Sequence, residues 1–258
     1  MNKRKKILIF SLIFVLAAAL GNVWGGGGKQ STGDYRDKLL RPDRLVIGTS
    51  PDYPPYESLD GDRLVGFDIE MMEAVAASMG LEIDWNQMEF DSILIALQAG
   101  QIDAGVSGFT YTKEREDAGT LFSAPYLKSA QVAFVRKDSD IRSAEDFPGR
   151  HFYAGLGTTG EAAIKEIDGV RISNTLDYQI AFELLKQGQL DGVVCDVAVG
   201  EGYVRSMDLR KIEPPLIDEE NHVVFRRGNE AVRDAFNRAL DTFMKTGDYT
   251  KLRMKFGL

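Results

Sequence analysis

One phrase occurs twice in this chain. Leu97-Gln98-Ala99-Gly100-Gln101-Ile102-Asp103-Ala104-Gly105-Val106 returns as Leu185-Lys186-Gln187-Gly188-Gln189-Leu190-Asp191-Gly192-Val193-Val194. In each copy an amphipathic helix runs up to a glycine and a short apolar run comes next. Glycine just past a helix supplies the left-handed conformation that releases the last carbonyls, and a Val-rich run with a polar entry suits a strand covered on both faces. Two such units, far apart in one polypeptide, predict two similar α/β lobes. The two strands lead into different polar tails: Ser107-Gly108-Phe109-Thr110-Tyr111-Thr112-Lys113-Glu114-Arg115 after the first, Cys195-Asp196 after the second. Ligands of open α/β sheets bind outside the carboxyl ends of the strands, so the two tails are expected to face one another across a cleft. An arginine on one side and an aspartate on the other suit a zwitterion.

The 258 residues, 44% hydrophobic and 27% charged, suffice for two modest domains. The first 21 residues read differently. Lys3, Arg4, Lys5 and Lys6 precede an apolar run over residues 7–20 broken only by Ser11, too short to span a bilayer comfortably and the size of a secretory signal core. Ala19 and Gly21 are small residues at signal-peptidase spacing, which predicts cleavage after Gly21. The alternative is a retained anchor, with the glycine-rich part of a flexible linker over residues 22–43 as its tether. Ala19-Leu20-Gly21 is similar to a lipoprotein signal, but Asn22 stands where the lipid-bearing cysteine belongs, so export is expected and lipidation is not. Without residues 1–21 the formal charge moves from -8 to -12, with 27 basic residues against 39 acidic, which argues against nucleic acid or anionic lipid as partners. Cys195, the single cysteine, reads as a small buried hydrophobe. With only two histidines, the sequence predicts no metal site and no cofactor.

Along the chain, residues 44–49 read as a strand, and Pro51, Pro54 and Pro55 force an extended loop carrying Tyr53, Tyr56 and Glu57. Asp68 reads as the N-cap of a helix ending at Gly80, and Phe90 opens the helix that ends at Gly100. From residue 129 the βα pattern restarts. The division expected is a first lobe of residues 44–128 plus 220–258 and a second of 129–219. Two strands cross between them, near 127–132 and 217–223, as a hinge.

Five motifs in register carry a resemblance: Tyr53-Pro54-Pro55-Tyr56-Glu57 after Gly48-Thr49, Val65-Gly66-Phe67-Asp68-Ile69-Glu70, the Ser107 to Arg115 stretch, Phe122-Ser123-Ala124-Pro125-Tyr126, and Gly157-Thr158-Thr159-Gly160-Glu161. From about residue 44 to the C-terminus the chain resembles the extracytoplasmic solute-binding proteins for polar amino acids, bacterial solute-binding protein family 3. The resemblance implies a type II periplasmic-binding-protein fold and no enzymatic activity. It further implies a monomer, in the periplasm or at the outer face of the cytoplasmic membrane, that hands an amino acid to the membrane permease of an ABC importer.

Charge pattern alone reads Arg115 as a solvated member of a Lys-Glu-Arg-Glu-Asp run. The resemblance puts the family's carboxylate-binding arginine there, where a planar guanidinium matches a carboxylate with paired hydrogen bonds. By the same resemblance Thr159, with Gly157 at a helix start rich in free amides, joins it on the carboxylate. Asp196, otherwise a helix cap, takes the ammonium with the Gly108 carbonyl and the Thr110 hydroxyl. Tyr53 and Phe90 match the aromatic pair that sandwiches the side chain. Ser50 occupies the position where relatives carry a counter-charge for basic side chains, leaving Glu57 as a substitute. Gly155 and Leu156 supply no cation for an acidic side chain, so acidic ligands are disfavoured, while neutral polar amino acids such as glutamine or cystine, and arginine, stay open. Two other readings are a cyclohexadienyl dehydratase on the same fold, whose acid would fall near Val199 with Glu201 two residues on, and a ligand-sensing receptor module.

Overall fold

The computed structural model describes residues 34–204 and 206–258. The expected signal segment, and the linker as far as residue 33, lie outside the described residues. Strands β1 (Arg44–Thr49), β2 (Asp52–Tyr53), β3 (Glu57–Asp60) and β4 (Arg63–Val65) lead into α1 (Phe67–Ser78). Next come β5 (Glu82–Gln87), α2 (Phe90–Gln98), β6 (Ala104–Thr110), α3 (Lys113–Asp117) and β7 (Thr120–Phe122). The long β8 (Leu127–Arg136) precedes β9 (His151–Ala154), α4 (Thr159–Lys165), β10 (Arg171–Ser173), α5 (Tyr178–Lys186), β11 (Gly192–Asp196), α6 (Val197–Val204) and β12 (Leu209–Lys211). The equally long β13 (Ile217–Arg226) is succeeded by α7 (Glu230–Met244) and α8 (Gly247–Phe256).

The main sheet runs β10-β9-β11-β8-β13-β6-β1-β5. Parallel strands β1, β5 and β6 occupy one end and parallel strands β9, β10 and β11 the other. Where the sequence placed two crossings, β8 and β13 pair antiparallel, Leu127 opposite Asn221 and Gln131 opposite Ile217. Each copy of the repeated phrase lands as a helix feeding a strand, α2 into β6 and α5 into β11. The repeated aspartate does the same work in both. Asp103 accepts the Val46 N–H at 3.0 Å while its own N–H reaches the Val46 carbonyl at 2.8 Å. Asp191 accepts the His151 N–H at 2.8 Å and donates to the His151 carbonyl at 2.7 Å. Each thus locks the entry of its strand to the neighbouring one. Arg136 and Arg226, the last residues of the two crossing strands, lie over the ends of the two repeat helices: Arg136 donates to the Leu185 carbonyl at 3.0 Å, and a Cβ on Gly100 would stand 2.7 Å from Arg226 Nη1. A cation at a helix C-terminus meets the negative end of the helix dipole. Replacing Asp103 by alanine strands two N–H groups, of Val46 and Leu40, and is expected to cost about 1–3 kcal/mol in urea unfolding. Asp191→Ala is expected to cost a similar amount by the same measurement.

Two local expectations change. The proline loop does not stay open, because Asp52–Tyr53, Glu57–Asp60 and Arg63–Val65 pair into a small antiparallel sheet. Asp68 is not the N-cap of α1. Gly66 holds that position at φ 140°, its bare Cα pressed against the Tyr56 carbonyl so that no Cβ fits. Asp68, one residue into the helix, is instead fully buried and accepts from the Tyr126 hydroxyl at 2.7 Å and the Gly108 N–H at 3.1 Å. The helix is held by its apolar face, Ile69, Met72 and Ala76 being buried.

Candidate functional site

A cavity of about 400 Å³ opens where the strands of both halves end. Ser50 follows β1, Tyr53 belongs to β2, Phe90 starts α2, Gly108 and Thr110 end β6, and Arg115 lies in α3. Thr159 opens α4 and Asp196 closes β11 on the facing side. Of the nine residues that the resemblance puts on the ligand, all but Gly157 line this space. Gly157 touches it indirectly, by offering its carbonyl to Arg115.

Arg115 is carried on a short helix whose Thr112 caps the Arg115 N–H at 3.2 Å. Its guanidinium donates to the Thr110 carbonyl at 2.7 Å and, across the cleft, to the Gly157 carbonyl at 2.9 Å. It lies over the rings of Phe90 and Phe109, 5.7 and 5.4 Å from their centroids, and those rings stack on each other at 4.6 Å. Burial pulls its pKa down, against the opposing charges of Glu219 and Glu114. Two contacts do not exhaust a guanidinium, and the remaining N–H groups are free to receive a carboxylate in a desolvated setting. Opposite it, Thr158 caps α4 by accepting the Glu161 N–H at 3.0 Å, so the first-turn amides of Thr159 and Gly160 have no partner inside the helix.

Asp196 is 1% exposed. Its Oδ1 accepts from Gln131 Nε2 at 2.6 Å, while Oδ2 has no hydrogen-bond partner, nor has the Thr110 hydroxyl. Gly108, at φ 57°, has its bare Cα against this oxygen: a Cβ there would stand 3.5 Å from Asp196 Oδ2. An unpaired carboxylate oxygen, an unpaired hydroxyl and the backbone of residue 108 thus converge where a donor-rich, positively charged group would fit. The Asp196 N–H donates to the Tyr53 hydroxyl at 2.7 Å, a second bond across the cleft. Tyr53 packs at 4.8 Å on Tyr178, which the sequence reading did not single out.

The far end of the cavity is acidic. Asp52, Glu89 and Asp177 line it together, Glu89 and Asp177 acting on Asp52, whereas Asp91 lies beside Gly157 on the Arg115 side; Arg115 is the one cationic residue among the cavity's described lining. Burial raises the pKa of Asp52, opposed by its bond from Ser50, with further upward pushes from Glu89 and Asp177. None of the four was singled out from the sequence, although Asp52 adjoins Tyr53 and Glu89 and Asp91 flank Phe90. Glu57, the suggested counter-charge, is elsewhere: it is fully buried behind the cavity, accepts from Ser107 at 2.6 Å, and its pKa is driven up by burial and by Asp68. For the dehydratase reading the geometry gives nothing. Val199 is buried in the core, and Glu201 pairs with Lys211 at 3.4 Å away from the cavity.

The family model for bacterial extracellular solute-binding proteins, family 3, matches residues 45–258. The arginine-binding extracellular protein ArtP of Bacillus subtilis is 32% identical over 252 residues, 95% of this chain and 96% of that protein. Among solved structures, a mutant of ArgBP from T. maritima superposes with a TM-score of 0.81 at 32% identity, covering 86% of this chain and 98% of that one. An ancestral arginine-binding protein bound to glutamine gives 0.78 at 34% identity, covering 83% and 97%.

Proposed function

The chain belongs to the bacterial extracellular solute-binding proteins, family 3, and on that premise we propose that it captures a cationic L-amino acid, arginine foremost, for an ABC importer. The acidic end of the cavity carries this reading: Asp52, Glu89 and Asp177 gather around a space whose one cationic lining residue, Arg115, is committed to the ligand's α-carboxylate. Thr159 shares that carboxylate. Asp196, Thr110 and the Gly108 carbonyl take the α-ammonium, and the side chain runs past Tyr53 and Phe90 toward Asp52 and Asp177. Ser50 then serves by orienting Asp52, to which its hydroxyl donates at 3.0 Å. An acidic ligand would set a second carboxylate against this wall.

Residues 44–128 with 220–258 form one lobe in this reading and 129–219 the other, hinged at β8 and β13. Ligand enters on Arg115 and Phe90, and closure adds Thr159 and Asp196. Only contacts made in the closed form shift the population toward it. The Arg115–Gly157 and Tyr53–Asp196 bonds already tie the two sides of the cleft together. The chain acts as an exported monomer that presents its closed form to a membrane permease. No helix among the described residues is long and apolar enough to cross a membrane.

Titration calorimetry with arginine, lysine, histidine, glutamine, cystine and glutamate tests this: arginine is expected to bind tightest and glutamate not at all. Glutamate binding as tightly as arginine would overturn the assignment. Asp52→Asn removes one charge-assisted contact, worth about 1.5–3 kcal/mol. It is expected to weaken arginine by about ten- to a hundredfold and leave glutamine within about threefold.

A further inference from the structure

Behind Asp196, the two crossing strands bury a second carboxylate that no role in the ligand contacts explains. Glu219 of β13 is 6% exposed, and its Oε2 accepts at 3.0 Å from the same Gln131 Nε2 that bonds Asp196. One amide group thus serves two buried carboxyl groups. The remaining oxygens, Asp196 Oδ2 and Glu219 Oε1, have no partner among the described residues. Gln131 Oε1 likewise has no partner and lies close to Gly160, where a Cβ would meet it at 2.5 Å. Two carboxylates this close and this dry cannot both hold full charge without a cation between them.

The surroundings decide which one yields. Arg115 of α3 is near enough to Glu219 for each charge to act on the other. Around Asp196 stand Tyr53 of β2, Tyr56, Asp68 of α1 and Cys195 of its own strand, none of them a cation. Burial first and Glu219 second lift Asp196 well above the ordinary carboxylate range, with a smaller push from Asp68 and opposition from the Ser129 and Tyr56 hydroxyls.

We propose that Asp196 carries a proton while the cleft is empty, held there by the carboxylate of Glu219, and that the ammonium of an incoming amino acid expels it, so that capture releases a proton. The step balances. The O–H bond of the Asp196 carboxyl breaks, the proton passes to water and then to buffer base, and the carboxylate left behind accepts from the ligand's N–H groups. Glu219 touches no ligand and acts as a positioning residue through Gln131 and through its charge. The inference rests on the amino-acid reading above. Affinity is then expected to fall as pH falls, by up to about tenfold per pH unit below the empty-cleft titration.

Calorimetry of the chain in two buffers of different ionisation enthalpy, phosphate and Tris, counts the proton. It is run with whichever of L-arginine, L-histidine, L-glutamine or L-cystine gives the largest heat. Proton release that grows toward one per ligand as the pH is lowered is expected, and a smaller release at each pH in Glu219→Gln, which keeps shape and hydrogen bonding but removes the second largest of the influences that raise Asp196. Binding heats identical in both buffers with the unmodified chain would overturn the proposal, and an unchanged proton count in Glu219→Gln would overturn the role of Glu219. Heat from none of the four would instead strike the amino-acid reading and this inference with it.

Discussion

Arg115→Ala is expected to weaken amino-acid binding by about 2–5 kcal/mol, roughly 30- to 4,000-fold, the range found when one partner of a buried charged pair is truncated. The loss has two parts. The ligand's carboxylate must still leave water for the Phe90 side of the cleft, and it finds no charged donor there. The guanidinium also bonds the Thr110 and Gly157 carbonyls, so its removal deletes a tie between the two sides of the cavity. The fold should survive, since Arg115 sits at the cavity wall on a five-residue helix and outside the strand pairing. Calorimetry and thermal unfolding separate these outcomes. Affinity within threefold of the unmodified chain, at unchanged melting temperature, would remove Arg115 from the site.

Asp196→Asn is the second large effect, and it acts in opposite directions on binding and on stability. Asparagine matches the shape of aspartate and can still accept from Gln131, but it presents no charge to an ammonium. Affinity is expected to fall by about 1.5–3 kcal/mol, about ten- to a hundredfold. The empty chain should become more stable, because an aspartate lifted by burial and by Glu219 costs folding energy wherever it is forced to ionise. Linkage sets the sign: a carboxyl whose folded pKa lies above its unfolded value destabilises increasingly as pH rises through that interval, and not below it. The melting temperature of Asp196→Asn should therefore exceed that of the unmodified chain at pH 8 and approach it near pH 4. A variant that binds normally, or that melts lower at every pH, would return Asp196 to the ordinary role of a strand-end residue. Ligand sites commonly keep such costly groups because function needs them unpaired until the ligand arrives.

Short-range pattern is what the sequence made legible. The repeated phrase located both helix-to-strand units because glycine punctuation and apolar runs are local signals, and the spacing of Arg115 and Asp196 after those strands located the cleft. Asp68 was misread because a capping aspartate and a buried one have the same neighbours in sequence; only the approach of Tyr126 and Gly108 from far along the chain separates them. The acidic wall was missed for a related reason. Asp52, Glu89 and Asp177 look like ordinary surface charges in sequence and become a group only when three loops meet. Ser50 showed that one counter-charge was absent, but it could not show that its hydroxyl orients another two residues away. Glu219 escaped because nothing in a strand reading Ile-Asp-Glu-Glu-Asn says which of its acids faces inward until the register against β8 is fixed.

The sheet order governs how such a chain can be made and moved. Between β8 and β6 stands β13, which belongs to the last part of the sequence, so the first half of the molecule keeps an unpaired edge on β6 until residues 217–226 arrive. As the polypeptide emerges from its N-terminus, the first half cannot complete its sheet, because β6 and β7 both pair with a strand from near the other end of the sequence. Pairings of this range are slow to form. The residues that finish the first half are also the ones that join it to the second.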